Sequence, residues 1–246
     1  MISVCIATYN GERFIKEQLD SILCQLSKED EIIISDDGST DKTLEIIDSY
    51  NDNRIKVFHH QKDEILSEVT QGRNFYYATQ NFANALSKVS GDYVFLSDQD
   101  DIWLQNKVSR CLELLKKNDV IVHNYQVVDV NGNLTKEQQF SKNPLHESVF
   151  FNIIDRHFRG FCMAFKAELL RKCLPIPLNV IGHDYWIGAI ATKYCSIFYE
   201  MNPLIQSRWY PDSVSAKRKT SLLYKITFRL NFYIELSKRL RAAKTS

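Results

Sequence analysis

At 246 residues, 44% apolar and 25% charged, the chain has the composition of an ordinary globular protein, long enough for one large α/β domain or two small ones. Nothing in it reads as disordered, and it lacks the run of about 18 apolar residues that a membrane-spanning helix needs. The net charge of +1 is unevenly spread, because residues 216–246 carry nine basic side chains against Glu235 while the preceding 215 residues are net acidic.

The chain enters a strand almost at once, with no basic region or cleavage site ahead of it, which argues against a signal peptide. That strand, residues 2–8, ends in a turn at Thr8-Tyr9-Asn10-Gly11. A helix follows with Phe14, Ile15, Leu19, Ile22, Leu23 and Leu26 on one face. Residues 31–35 read as a second buried strand and run into Asp36-Asp37-Gly38-Ser39-Thr40-Asp41. The next helix carries Leu44, Ile46 and Ile47, and residues 55–58 make a third strand. A polar stretch to about Arg73 precedes a helix through Phe82, Ala85 and Leu86, and residues 93–97 are the fourth strand. Strand alternating with helix at this pace predicts an α/β fold with a doubly wound, mostly parallel sheet.

The fourth strand ends abruptly in Ser97-Asp98-Gln99-Asp100-Asp101-Ile102-Trp103. Side chains two apart on an extended segment point the same way, so Asp98 and Asp100 face one site while Gln99 points elsewhere. Two carboxylates at that spacing repel unless a cation sits between them, and hard oxygen ligands suit Mg²⁺ or Mn²⁺ together with phosphate oxygens. Asp101 has a second reading, as the cap of a helix running from Ile102 to about Lys117. One cap accounts for one carboxylate, not three. The polar clusters at 8–10, 36–41 and 98–101 all fall at the carboxyl ends of strands, where open α/β sheets bind ligands. No GxGxxG or GxxxxGK[ST] is present, so neither dinucleotide nor P-loop chemistry is indicated.

Beyond Lys117 the pattern changes. Residues 120–129 and 134–140 flank the hairpin signal Asn131-Gly132. A polar stretch and a helix lead to the short apolar run 160–165 and a helix over 166–173. Pro175 and Pro177 break the chain before Gly182-His183-Asp184-Tyr185-Trp186 opens another helix, and strands follow near 197–199 and 204–208. Six cysteines scattered among apolar neighbours, with no CxxC pair, read as reduced core residues of a cytoplasmic protein. Residues 1–215 are expected to form one domain, with a ligand-binding half over 1–117 and a second half over 118–215. Residues 216–246 read as a basic amphipathic helical tail suited to a membrane surface.

Four segments, residues 3–11, 34–41, 91–103 and His183-Asp184-Tyr185-Trp186, resemble the family 2 glycosyltransferases of the GT-A fold, within them the bacterial polysaccharide branch that includes rhamnosyltransferases. The resemblance covers roughly residues 1–215, and the four segments in this order are far more specific than any one alone. It implies a nucleotide-sugar-binding half followed by an acceptor half. Thr8, Tyr9 and Asn10 would line the nucleotide pocket, and Asp36 or Asp37 would bond the base or ribose. Asn81 and Phe82 match a pair found just upstream of the acidic motif. Asp98 would contact ribose or metal, Asp100 would ligate Mg²⁺ or Mn²⁺, and Arg208 would contact the diphosphate. Asp184 matches the general base of inverting transfer, against a cap of its own helix as the alternative. His183 and Trp186 would lie behind Asp184 or face the acceptor, Trp186 otherwise being core.

The implied partners are a UDP- or dTDP-sugar donor, with rhamnose among the candidates, and a glycan or lipid-linked saccharide acceptor, with peripheral membrane contact through the tail and no nucleic acid. One departure stands out. Family members often carry Arg-x-His after the last strand, where the His completes the metal shell, and this chain has Arg208-Trp209-Tyr210. Two rivals remain: a non-catalytic nucleotide-sugar or glycan-binding module on the same scaffold, and a hydrolase, whose acid and base would need to sit about 5–9.5 Å apart across a glycosidic bond.

Overall fold

The computed structural model describes residues 1–63, 72–210 and 221–242. The first half builds β1 (Ile2–Thr8), α1 (Ile15–Leu23), β2 (Glu31–Asp36), α2 (Thr43–Asp48), β3 (Ile55–His59), α3 (Arg73–Leu86) and β4 (Tyr93–Ser97). These four strands lie parallel in the order β3-β2-β1-β4. Ile32, Ile33 and Ile34 are all fully buried, which is why β2 reads as a continuous apolar run and not as an alternation. Helix α1 closes over the sheet with Ile15, Leu19 and Ile22, one residue per turn, while its charged positions stay outside.

The second half adds β5 (Ile102–Trp103), α4 (Lys107–Leu115), β6 (Val120–Val128), β7 (Leu134–Lys136), α5 (Val149–Asp155), β8 (Met163–Lys166), α6 (Leu170–Cys173), α7 (His183–Tyr194), β9 (Ile197–Arg208) and α8 (Leu222–Ala242). One sheet runs through both halves, in the order β3-β2-β1-β4-β8-β6-β9-β5, with β7 beside β6. Antiparallel pairing of β8 with β4 joins the halves, setting Phe95 opposite Ala164. That register places residues just before β8 beside residues just after β4.

Three expectations are corrected. The helix expected from Ile102 begins only at Lys107, because Ile102 and Trp103 pair with Gln206 and Ile205 of β9. Asp101 therefore caps no helix. The two strands expected near 197–199 and 204–208 are one, β9, whose register against β6 jumps from Glu200 to Pro203 and so accommodates a proline without a ladder N–H. The hairpin at Asn131-Gly132 forms, with Gly132 at φ +85°, but its second strand ends at Lys136.

The tail expected over 216–246 is helical where described, from Leu222 to Ala242; residues 211–220 and 243–246 lie outside the described residues. One face of α8 packs on the body through Phe228, Phe232 and Leu236, with Phe232 edge-on to Trp186. Arg239 adds a hydrogen bond to the Leu174 carbonyl at 2.7 Å. No helix among the described residues is long and apolar enough to cross a membrane.

At the opposite edge of the sheet from the acidic motif, Glu31 ties β1, β2 and β3 together. It accepts from the Ser3 hydroxyl, from the Ser90 N–H at 2.9 Å and from the Lys56 amine at 2.6 Å. Burial opposes its charge, but the bonds from Lys56, Ser3 and Ser90 outweigh that and hold the carboxyl at about 2 against 4.5 ordinarily. A carboxyl depressed on folding stabilises the fold fully above pH 4.5, and that stabilisation is lost as pH falls towards about 2. Glu31→Gln is expected to cost roughly 2–3 kcal/mol near neutral pH and to flatten the acid limb of stability. Denaturant melts of both proteins across that pH range check this; parallel acid limbs would assign the acid sensitivity elsewhere.

Candidate active site

The carboxyl ends of β1 and β2 form the first wall. The Thr8 hydroxyl donates to Asp36 Oδ1 at 2.9 Å, and Asp36 Oδ2 also accepts from the N–H groups of Gly38 and Ser39 at 2.9 and 2.8 Å. Asp36 is fully buried and spends its acceptors on shaping this turn, in which Gly38 sits at φ +81°. Asp37 bonds His60 Nδ1 at 2.6 Å and lies 4.0 Å from the Lys62 amine. Of the two aspartates, Asp37 keeps spare acceptor capacity. The Tyr9 ring is half exposed, with the Lys62 amine 4.1 Å from its centroid. Asn10, at φ +48°, accepts from the Thr40 N–H at 2.9 Å and so ties this loop to the next. Asn81 stands behind the wall, donating to the Thr8 carbonyl at 3.1 Å.

The acidic motif forms the floor. Gln99 does turn away from its neighbours: its Oε1 accepts from the Tyr9 N–H at 2.9 Å and its Nε2 donates to the Tyr9 carbonyl at 3.2 Å. A Cβ at Gly11 would stand 2.6 Å from Gln99 Oε1, so a side chain there would displace the Gln99 amide from its bonds to Tyr9. Asp98, Asp100 and Asp101 each bring a carboxylate oxygen within 4.8 Å of the others. Burial raises all three, Asp98 to about 7, with the charges of Asp100 and Asp184 acting on Asp98 in the same direction and those of Lys107 and Arg159 against it.

These residues fit a hard divalent cation. The donors are all oxygen, they converge, and Asp101 Oδ2 is buried with no hydrogen-bond partner. The Tyr210 hydroxyl, at the position where family members often carry His, donates to Asp100 Oδ2 at 2.7 Å. Arg208 is buried against the Phe14 ring and pairs with Glu17 at 2.6 Å, while its Nε donates to the Asp100 carbonyl at 3.2 Å. Its guanidinium braces the motif from the side.

Across the floor stands the first turn of α7. Gly182 takes φ +87° and donates its N–H to the Thr79 hydroxyl at 2.8 Å, which starts the helix without a side-chain cap. Asp184 lies inside that turn, at the positive end of the helix, and is not its N-cap. Its Oδ2 accepts from the Gly160 N–H at 3.2 Å, and its charge is felt at Asp98. A Cβ on Gly160 would stand 2.7 Å from His183 Nε2. His183 cannot yield, being buried and stacked on Phe82 with ring centroids 3.7 Å apart. Burial pushes it down to about 4, so it is a neutral prop. Trp186 is core: fully buried, its indole donates to the Cys173 carbonyl at 2.8 Å.

The sequence pattern passed over two cations. Arg159 donates to the Tyr185 hydroxyl at 2.7 Å and its charge acts on Asp98, while its own protonated form is favoured by Tyr185 and Asp184 despite burial. Lys107 is fully buried beneath the motif. Lys107 did carry a signal, since it shares a helical face with the buried Cys111 and Leu115. Arg159 carried none, because only the β4–β8 register brings it to the site.

Residues 3–174 match the family model described as glycosyl transferase family 2. The dTDP-rhamnosyl transferase RfbG of Shigella flexneri is 35% identical over 127 residues, which is 50% of this chain and 41% of that one. The chain spans between 59% and 64% of the length of three further curated relatives. Among solved structures, S. aureus TarS 1–349 in complex with UDP-GlcNAc superposes at a TM-score of 0.66 with 19% identity, over 89% of this chain and 62% of that one. The mannosyltransferase PcManGT from Pyrobaculum calidifontis, in complex with GDP-Man and Mn²⁺, gives 0.60 and 17% over all of this chain and 75% of that one. At these identities the two structures speak for the fold alone, the GT-A fold of glycosyltransferases. On the family match, which takes in more than half its length, this chain belongs to glycosyl transferase family 2.

Proposed function

We propose that the chain transfers a sugar, with inversion, from a nucleoside-diphosphate sugar to an acceptor hydroxyl, with Asp184 as general base. The observation that carries this reading is the placement of Asp184 opposite a convergent acidic floor, near enough for its charge to act on Asp98. Asp184 takes the proton of the hydroxyl as its oxygen attacks the anomeric carbon, and the bond from that carbon to the diphosphate breaks on the far face. Thr8, Tyr9, Asn10 and Asp37 hold the nucleoside, with Asp36 and Asn81 shaping the wall behind them. A carboxylate at Asp37 suits the N–H of a pyrimidine, which favours a UDP- or dTDP-sugar, and the RfbG relative makes rhamnose the first sugar to try. The acceptor in this reading is a hydroxyl of a cell-surface glycan or lipid-linked saccharide.

Asp98, Asp100 and Asp101 would hold Mg²⁺ or Mn²⁺. Such a cation neutralises the charge that develops on the departing diphosphate. Arg208, whose charge is felt at Asp100, adds positive potential on the same side.

Asp184→Asn is expected to lower turnover about 10²–10⁴-fold and to leave donor binding nearly unchanged, because the amide keeps the shape but accepts no proton. Released diphosphate from a panel of nucleotide sugars, beside calorimetry of donor binding, measures both. Near-normal turnover would move the base to another residue. Binding of every donor without turnover of any would favour the non-catalytic module.

Activity is expected to vanish in excess EDTA and to return with Mn²⁺ or Mg²⁺ for the parent protein but not for Asp100→Ala. Full turnover in EDTA would remove the cation from the scheme.

The tail extends the reading to a membrane surface. With one face of α8 docked, Ile226, Leu230, Tyr233 and Ile234 remain exposed, four residues at helical spacing. Phe150, Phe151 and Ile154 of α5 are exposed as well, and Arg229 of α8 donates to the Ile154 carbonyl at 3.3 Å. Arg229, Lys238 and Arg241 flank that apolar stripe, which suits peripheral contact with an anionic leaflet at about 1 kcal/mol per basic residue. The full chain is expected to co-sediment with phosphatidylserine vesicles at low salt, and a variant with serine at Ile226, Leu230 and Tyr233 to lose most of that binding. Equal partitioning of the two would leave the stripe as a contact of another kind.

A further inference from the structure

Lys107 opens α4 with its side chain wholly buried, a costly place for an ammonium group. The amine donates to the Phe161 carbonyl at 2.7 Å and lies 4.2 Å from the centroid of the Trp103 indole. A neutral carbonyl and a ring face offset only part of one buried charge. Its two partners place the amine beside the acidic motif, since Trp103 follows Asp101 by two residues and Phe161 lies just before β8, where the register sets it next to the end of β4. From there its charge opposes the effect of burial on Asp98 and Asp101. It does so without a direct ion pair to either among the described residues, and Asp101 Oδ2 stays without any hydrogen-bond partner.

That arrangement separates two tasks that normally compete. Ionised together, as a divalent ion requires, three carboxylates within 4.8 Å of one another repel strongly in a partly buried setting. A cation among them would relieve the repulsion, but a protein amine in that place would consume the oxygens a divalent ion needs. Bonded instead to the Phe161 carbonyl, the amine offsets the repulsion and leaves the oxygens free.

We propose that Lys107 is a positioning residue for the acidic motif: a fixed cation behind the carboxylates that keeps Asp98, Asp100 and Asp101 gathered before a divalent ion arrives. The proposal rests on the cation reading given above. Its consequence is that Lys107 and the divalent ion partly substitute for one another in stabilising the fold.

Thermal unfolding of the whole chain, with and without Mn²⁺, tests this on the parent, Lys107→Met, Asp101→Asn and the double variant. Methionine keeps the length of the side chain and removes the charge. Lys107→Met is expected to lose roughly 3–12 °C in Tm without the ion, as for losing a buried charge-assisted hydrogen bond, and to regain a larger share with Mn²⁺ than the parent gains. Asp101→Asn is expected to offset much of that loss in the double variant, since it removes one of the carboxylates left unbalanced. Unfolding of Lys107→Met that only Mn²⁺ reverses would support the proposal equally.

An equal Mn²⁺ increment in parent and Lys107→Met, together with simple additivity in the double variant, would overturn it and make Lys107 a packing residue. Failure of both Lys107→Met and the double variant to fold in either condition would overturn it too. A parent that shows no Mn²⁺ increment would sink the cation reading instead, and the double-variant comparison would then decide the role of Lys107 alone.

Discussion

Repulsion among carboxylates is the constraint around which the rest of this structure is arranged. Asp98, Asp100 and Asp101 follow one another along a single strand end, and Asp184 faces them from another helix, with its charge reaching Asp98. Such a cluster is stable only where positive charge surrounds it without filling it. The chain meets that requirement from three directions: Lys107 from below, Arg159 from the second half, and Arg208 from the end of β9. Each of these cations has a fixing partner outside the cluster: the Phe161 carbonyl for Lys107, the Tyr185 hydroxyl for Arg159, and the Phe14 ring with the Glu17 carboxylate for Arg208. Their charge is thereby held in place while the carboxylate oxygens are left open.

Close backbone approach is the second requirement, and it explains the two glycines that matter most. Gly11 lets Gln99 reach the loop after β1 with a reciprocal pair of bonds to Tyr9, which ties the floor to the first wall. Gly160 lets its own N–H reach Asp184 while His183 packs against it. An alanine at Gly160 would meet His183, which is buried and stacked, at 2.7 Å, and one at Gly11 would push the Gln99 amide off its two bonds to Tyr9. In both cases a missing side chain holds two loops in register.

The parallel half was legible in the sequence because its strands are buried on both faces and its helices on one. That contrast writes continuous apolar runs for β1, β2 and β4 and a 3.6-residue stripe for α1. The strand ends of the site were legible for the same reason, as abrupt changes from apolar to polar. What stayed hidden depended on partners distant in sequence. Ile102-Trp103 looks like the start of a helix until β9, about a hundred residues later, offers it an edge. Arg159 has no local pattern to mark it. Asp36 and Asp37 are adjacent and chemically alike, and only the turn they enter shows that one builds the loop while the other, also buried, pairs with His60 and lies near Lys62. The tail combined both limits: its helix was legible, but an amphipathic pattern cannot say which apolar face meets the protein, and here Phe228, Phe232 and Leu236 do.

The junction of the two halves is where sheet topology becomes chemistry. Because β8 runs antiparallel to β4 with Phe95 opposite Ala164, the chain just before β8 must lie beside the chain just after β4. Residues 159–160 and 98–100 are thus brought together by strand register and not by any affinity between them. Asp184 then hangs from the Gly160 N–H and the first turn of α7, fixed relative to the floor by main-chain geometry. The carboxylates consequently fall into two classes by environment. Asp98 is half-buried and crowded, and desolvation together with the charges of Asp100 and Asp184 pushes its carboxyl up to about 7. Asp184 instead sits in the first turn of α7 and accepts from a backbone donor, the Gly160 N–H. A sheet whose second half ran parallel at this junction would carry residues 159–160 to the opposite edge, and the floor would face no partner.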